Sequence, residues 1–213
     1  MNLYNELLNA PKDAPVFLSE RLDKQTILEA YKFGLFPWTN KPVSWWCPDP
    51  RMILNPAEIY KQKSTRRFAN RYKIALDTNF HDLITLCANL RAQTWIDEDF
   101  VCIYGELFED GVAHSVEIYE NGVLVGGLYG LILGKMFFGE SMASLAKNAS
   151  KVAMIALCEL LAPYEFIIDC QIYNPHLAFM GGKNVPRAEF LQILEQKVSQ
   201  KSGFVSFKSL LAR

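Results

Sequence analysis

The chain has no paired cysteines. Its five, Cys47, Cys87, Cys102, Cys158 and Cys170, are odd in number and none stands at C-x-x-C spacing. That argues against a disulfide framework or a cysteine zinc site and fits a reducing compartment. Long apolar runs are missing too: no stretch approaches the roughly 20 residues a membrane helix needs, so no membrane span is expected. The start, MNLYNELLNAPKDAP, lacks a basic segment ahead of an apolar one, so no secretion leader is expected and a cytoplasmic location is. There is no charge excess: 22 Lys and Arg face 23 Asp and Glu, net −1, so any nucleic-acid surface must be a local patch. H-E-x-x-H, G-x-x-x-x-G-K-[ST] and G-x-S-x-G are all absent. Zinc deaminase chemistry would need H-x-E with P-C-x-x-C, whereas His114 and Glu117 stand at H-x-x-E and would point to opposite faces of a strand.

What is present is ordinary globular composition, half hydrophobic and about a fifth charged, in 213 residues that can bury a real core. DKQTILEAYKFG reads as a helix, capped by Asp23, with Ile27, Leu28 and Tyr31 on one face and Gly34 at its end. LFPWTNKPVSWWCPDPRMILNP is too rich in proline for helix and reads as turns and short strands carrying Phe36, Trp38, Trp45 and Trp46. Pro56 marks the expected end of a small N-terminal domain, 1–56, ahead of a larger one, 57–213. IALDTNFHDLITLCANLR predicts a strand ending near Asp77 and then a helix, and DEDFVCIYGELFEDG another helix. HSVEIYE-NG-VLVGGLYG predicts a hairpin turning at Asn121-Gly122, extended through Gly134 to KMFFGESM. A helix over Ser144 to Leu161, a buried-type strand FIIDCQI and a last helix from near Pro186 complete an α+β fold built around one sheet. Such a sheet can splay open between strands and hold a substrate there.

FIIDCQI raises a chemical question, because Asp and Gln are poor strand formers and a buried carboxylate is costly unless paired. In a regular strand Asp169 and Gln171 share one face about 7 Å apart, with Cys170 on the other. They are either a structural hydrogen-bonded pair or a proton acceptor beside an amide that orients substrate and donates to developing charge. Glu140 in FFGESM is either an ammonium site or a cap for the next helix. A thiol enzyme using Cys170 with His176 is a weaker reading, since a cysteine amid an apolar strand is usually inert. The stretch KQKSTRRFANRYK holds Lys61, Lys63, Arg66, Arg67, Arg71 and Lys73 without an acid, together with Phe68 and Tyr72. Phosphate contact with aromatic stacking is a single-strand RNA recipe, and Trp45, Trp46 and Trp95 are candidate platforms or simply core.

GLFPW (34–38), WWCPDPR (45–51), TWI (94–96), HSVE (114–117), VGGLYG (125–130), FFGESM (137–142), NASK (148–151), DCQ (169–171) and VPR (185–187) occur in the order and approximate spacing of one family. From about Leu22 to Leu194 the chain resembles the leucyl/phenylalanyl-tRNA–protein transferases. The resemblance implies a small N-terminal α/β domain followed by a GNAT-like, mostly antiparallel sheet flanked by helices. It implies transfer of Leu or Phe, and Met less well, from aminoacyl-tRNA to proteins beginning with Arg or Lys, marking them for N-end-rule degradation. Neither ATP nor metal is implied, because the aminoacyl ester is already activated; a monomer without membrane contact is expected. By resemblance Asp169, Gln171 and Glu140 are catalytic, and Phe137, Met142, Leu128 and Ile168 line a pocket for the amino-acid side chain. Trp45 and Trp95 would sandwich the terminal adenosine, and Lys61, Lys63, Arg66, Arg67 and Arg71 would meet the tRNA backbone. Two segments depart from the family pattern: FLSERLD at 17–23 and the short TNKPVS loop before Trp45. The rival readings are a non-catalytic RNA-binding protein and a coenzyme-A acyltransferase, which would want a glycine-bearing pyrophosphate loop that SMASLAKNASK does not offer.

Overall fold

The computed structural model describes residues 3–63, 65, 68, 70–90 and 96–212. A short helix α1 (Leu3–Leu8) precedes strand β1 (Phe17–Ser19), helix α2 (Lys24–Lys32) and strands β2 (Phe36–Asn40) and β3 (Val43–Trp46). Asp23 caps α2 as its sequence suggests: its carboxylate accepts from the Thr26 N–H and hydroxyl at 2.9 and 2.6 Å. The three strands form one small antiparallel sheet in the order β1-β3-β2.

The chain then enters a seven-stranded sheet. Its members are β4 (Arg51–Leu54), β5 (Lys73–Leu76), β6 (Ala113–Glu120), β7 (Val123–Leu133), β8 (Met136–Ser144), β9 (Ile167–Gln171) and β10 (Lys183–Val185), in the order β10-β4-β9-β8-β7-β6-β5. The small sheet thus ends at Trp46, and β4, ahead of Pro56, already belongs to the large one. Helices α3 (Phe80–Asn89), α4 (Glu98–Glu109) and α7 (Arg187–Val198) contribute to one core, and α5 (Ala149–Leu161) and α6 (Pro175–Phe179) to another. Strand alternation sorts residues between the two: Met136 and Phe138 join the first core and Phe137 the second. The first core also takes in Ile27, Tyr31 and Phe36 of the small-sheet region, so buried side chains run continuously from one sheet to the other.

The hairpin turns at Asn121 and Gly122, with φ 53° and 82°, as the sequence predicts. The helix expected from Ser144 begins only at Ala149, because β8 stays paired to β7 as far as Gly126↔Ser144. Among the described residues every ladder is antiparallel except β8 with β9, and that exception opens the sheet. The parallel pairing covers only Met136↔Ile167, Phe137↔Ile168 and Phe138↔Asp169. Beyond it β8 continues on β7 through Leu128↔Met142, and β9 continues on β4 to Met52↔Gln171. Each strand keeps its outer neighbour and loses its inner one, leaving a notch in the middle of the sheet.

Candidate active site

Both strands bulge where they separate. On β8 the register passes from Tyr129↔Ser141 to Gly130↔Gly139, leaving Glu140 as the extra residue. On β9 it passes from Met52↔Gln171 to Ile53↔Asp169, leaving Cys170 extra and Gln171 at φ 62°. Bulges bend a strand and re-aim its side chains, so the notch is bordered by residues freed from the regular alternation. Gly130 permits the first bulge: a Cβ there would collide with the Phe138 carbonyl and the Phe137 ring.

The cavity between the strands measures about 240 Å³. That is ample room for an amino-acid side chain. Its apolar lining includes all four expected pocket residues, Leu128, Phe137, Met142 and Ile168, to which Met154 and Leu177 are added. Glu140, Asp169 and Gln171 border the same cavity. The seven residues that the family resemblance assigned to one site thus border one cavity, although no local pattern in the sequence links β8 to β9.

The electrostatics differ from a row of free carboxylates. Asp169 is fully buried and grips Arg51 at two points, Nε to Oδ1 at 2.8 Å and Nη2 to Oδ2 at 2.6 Å. The guanidinium itself lies 4.6 Å from the ring centres of both Phe36 and Phe190. Burial works against the Arg51 charge, but Asp169 outweighs it and raises the pKa above its ordinary value. Asp169 Oδ1 also accepts the Gln171 backbone N–H at 2.9 Å. Asp169 thus fixes where Gln171 sits, and the expected side-by-side pair on one strand face is replaced by a bulge held from beneath. The Gln171 Nε2 is buried and has no hydrogen-bond partner among the described residues.

Glu140 is cradled by two phenols. Its Oε1 accepts from Tyr31 of α2 and its Oε2 from Tyr104 of α4 at 3.0 Å, the two hydroxyls standing 3.2 Å apart. Burial pushes the carboxyl up to about 7; the phenol hydrogen bonds and Arg51 pull it down, and the Asp169 charge adds to the rise. Both tyrosines, themselves fully buried, have pKa values raised well above the usual phenol range, chiefly by desolvation. Burial likewise lifts the Cys170 thiol well above its ordinary value, which removes the thiolate a thiol enzyme would need.

The tryptophan expectation needs correction. Trp45 is fully buried, stacked on Phe17 at 5.8 Å, and its Nε1 donates to Ser19 Oγ at 2.9 Å. A ring packed on that side of the small sheet is not open to an adenine. Trp38, from the GLFPW motif, instead lines the notch, meeting Trp46 edge-on at 4.8 Å. Trp95 lies outside the described residues, as do Arg66 and Arg67 of the basic stretch. That stretch is less free of acid in space than in sequence: Lys61 pairs with Glu159 at 2.6 Å, and Arg71 pairs with Glu120. Lys63 is exposed. Tyr72, expected to be available for stacking, is buried and donates to the Lys147 carbonyl at 2.8 Å.

A family model described as leucyl/phenylalanyl-tRNA protein transferase matches residues 53–195, and one for the N-terminal domain of that protein matches 20–49. The chain belongs to this family. A leucyl/phenylalanyl-tRNA–protein transferase of Campylobacter jejuni subsp. jejuni is 62% identical over 210 residues, covering 99% of this chain and 98% of the relative. That of Campylobacter lari is 57% identical over the same shares, and that of Thiobacillus denitrificans 44% identical over 84% of this chain and 82% of its own. Among solved structures, a ribosomal-protein-alanine N-acetyltransferase from Brucella melitensis biovar Abortus 2308 matches at 15% identity with a TM-score of 0.36, covering 64% of this chain and 96% of that one. The fold has the architecture expected for the family, a mostly antiparallel sheet flanked by helices. No helix among the described residues is long and apolar enough to cross a membrane.

Sequence reasoning missed Trp38, Met154 and Leu177 in the lining, and behind it Arg51, Tyr31 and Tyr104. Arg51 ends a quoted motif, but its partner lies 118 residues away; Tyr31 and Glu140 are 109 apart. Only a three-dimensional contact reveals either role.

Proposed function

We propose that the chain transfers Leu or Phe from aminoacyl-tRNA to the α-amine of proteins beginning with Arg or Lys, and that such products enter N-end-rule degradation. The observation that carries the reading is the notch: an apolar pocket ending beside a buried amide, a carboxylate fixed by Arg51 and a second carboxylate held by two tyrosines. The amino-acid side chain of the donor enters the pocket formed by Leu128, Phe137, Met142 and Ile168. Such a surface separates substrates by only about 1–3 kcal/mol per methylene, which suits acceptance of two amino acids.

The reaction needs little else. The acceptor amine attacks the ester carbonyl, a C–N bond forms, the C–O bond to the ribose breaks, and the amine proton ends on the released ribose hydroxyl. Gln171 is the donor toward the carbonyl oxygen as charge develops there, and its unpartnered Nε2 supports that role. Asp169 acts through position and field: with Arg51 on both oxygens it holds the Gln171 backbone, and its charge stabilises the positive charge that develops on the attacking amine nitrogen before that proton passes to the ribose oxygen. Glu140 takes the other ammonium, that of the donor amino acid, by a charge-assisted hydrogen bond. Trp38 replaces Trp45 as a wall for the terminal adenosine, with Trp95 as its expected partner, and Lys61, Lys63, Arg66, Arg67 and Arg71 meet the tRNA backbone. Holding amine and ester together supplies up to about 7–11 kcal/mol of the barrier reduction. We assign residues 1–56 and 57–213 as the two domains, with β4 of the first segment completing the sheet of the second; Trp38 of the first supplies a wall of the notch, and β7, β8 and β9 of the second its floor.

Transfer of radiolabelled Phe and Leu from charged tRNA to peptides beginning with Arg, Lys or Ala tests the reading. Label on the Arg and Lys peptides but not on Ala supports it. Tight tRNA binding with no transfer to any peptide refutes it and favours an RNA-binding protein.

A further inference from the structure

Outside the notch, one surface combines exposed rings and cations. Helix α6 leaves the notch at Tyr173 and Asn174, which border it, and turns Leu177 inward. Its outward positions include His176 and Phe179, three residues apart and therefore neighbours on one face. Phe179 meets Tyr60 edge-on at 5.6 Å, and the Tyr60 N–H donates to the Met180 carbonyl at 2.8 Å, fixing that ring beside the helix end. Phe179 is 54% exposed, Tyr60 55% and Tyr173 56%, so each keeps ring surface open to solvent. Aromatic rings this exposed have no part in either core.

Cations stand at both ends. At the notch end, Lys151 lies in the first turn of α5, which holds no acid. It is near enough that, after burial, its charge lowers the His176 pKa. Lys61 and Lys63 follow directly on Tyr60, with Lys63 exposed. Of the neighbouring acids, Glu58 is paired with Lys183 at 2.5 Å and Glu159 with Lys61 at 2.6 Å, so Lys61 offers a phosphate less than exposed Lys63 does.

We propose that His176, Phe179 and Tyr60 form a stacking track for the single-stranded 3′ nucleotides of the donor RNA that precede the one whose ester occupies the notch. The inference rests on the aminoacyl-tRNA reading above and deepens it. Rings in file between cations are what a single strand uses, its bases on π-faces and its phosphates on lysines. The track starts at the mouth of the cavity, where the terminal nucleotide must lie if its ester is inside. An acceptor polypeptide fits this surface poorly, because its N-terminal Arg or Lys would meet cations at either end.

The test compares three donors carrying the same phenylalanyl ester: adenosine alone, the trinucleotide CCA, and full-length tRNA. The variants are Tyr60→Ala/Phe179→Ala and its conservative counterpart Tyr60→Phe/Phe179→Tyr. The double alanine variant is expected to raise KM about tenfold or more for the CCA and tRNA esters. Its KM for the adenosine ester, its KM for the acceptor peptide and its melting temperature are expected to stay at wild-type values, and the conservative variant to behave as wild type throughout. Unchanged KM for the CCA and tRNA esters overturns the track. So does an equal loss with the adenosine ester, which would place the defect in the notch, or a rise confined to the acceptor KM, which would make this surface a protein site. Failure of the wild-type protein to use any of the three donors would instead refute the transfer reading itself.

Discussion

Arg51 and Asp169 form a two-point ion pair with neither side chain exposed, at 2.8 and 2.6 Å, joining the first residue of β4 to the residue of β9 that ends its parallel pairing. The pair thus stands at the root of the notch. Removing one partner leaves a buried, uncompensated charge, a loss of about 3–5 kcal/mol. Arg51→Met and Asp169→Asn should therefore each lower stability in urea unfolding by about that much, whereas Arg51→Met/Asp169→Leu should recover a large part of it. Single variants as stable as wild type would show that the pair does not hold β9. Loss of transfer in Asp169→Ala must accordingly be read beside stability, since a destabilised notch and a missing electrostatic anchor look alike in rate alone.

Glu140 sets a pH dependence of stability. Its folded carboxyl titrates at about 7 against an ordinary 4.5, so between those values the folded protein binds a proton that the unfolded chain has lost. The resulting stabilisation is fully present below the lower value and is lost as pH rises toward the upper one. Unfolding free energy should fall between pH 5 and pH 8 in the wild type by up to about 3 kcal/mol from this group. Glu140→Gln should flatten that fall. The same slope in the variant would assign the effect elsewhere.

Trp38 and Trp45 should part company on mutation. Trp45→Ala removes a fully buried ring and should cost about 3–5 kcal/mol of stability. Trp38→Ala should leave the melting temperature near wild type and raise the KM for phenylalanyl-adenosine several-fold. A reversal of the two phenotypes would return the stacking role to Trp45.

The basic stretch should act through phosphates, and its acids should oppose it. Changing Lys61, Lys63 and Arg71 to Ala should reduce the salt slope of tRNA binding by roughly one for each phosphate that is no longer neutralised. Glu159→Gln and Glu120→Gln, which release Lys61 and Arg71 from their ion pairs, should tighten binding at low salt. A slope unchanged in the triple variant would remove this surface from the tRNA path.

What the sequence made legible was local. Asp23 ahead of α2, Asn121-Gly122 in the hairpin and the acid-rich start of α4 announce their elements through caps and turn chemistry within a few residues. Motif resemblance brought Glu140, Asp169 and Gln171 to one place, and the notch does unite them. The bulges at Glu140 and Cys170 were not legible, because a bulge is defined by a partner strand, and the partners of β9 lie far along the chain, in β8 and β4. The same distance hid the Arg51 and tyrosine contacts. Trp45 misled because two adjacent tryptophans in a strand face opposite sides, and sequence alone does not say which side is core.

Single-turnover transfer of labelled Phe from charged tRNA to an Arg peptide, by wild type and Gln171→Ala with tRNA affinity measured alongside, tests most directly whether the opened sheet is the reaction centre. Loss of about 100-fold or more in rate, with affinity and melting temperature retained, is the expected result for a donor that acts on developing charge. Full activity in the variant, or a loss of binding as large as the loss of rate, would contradict it.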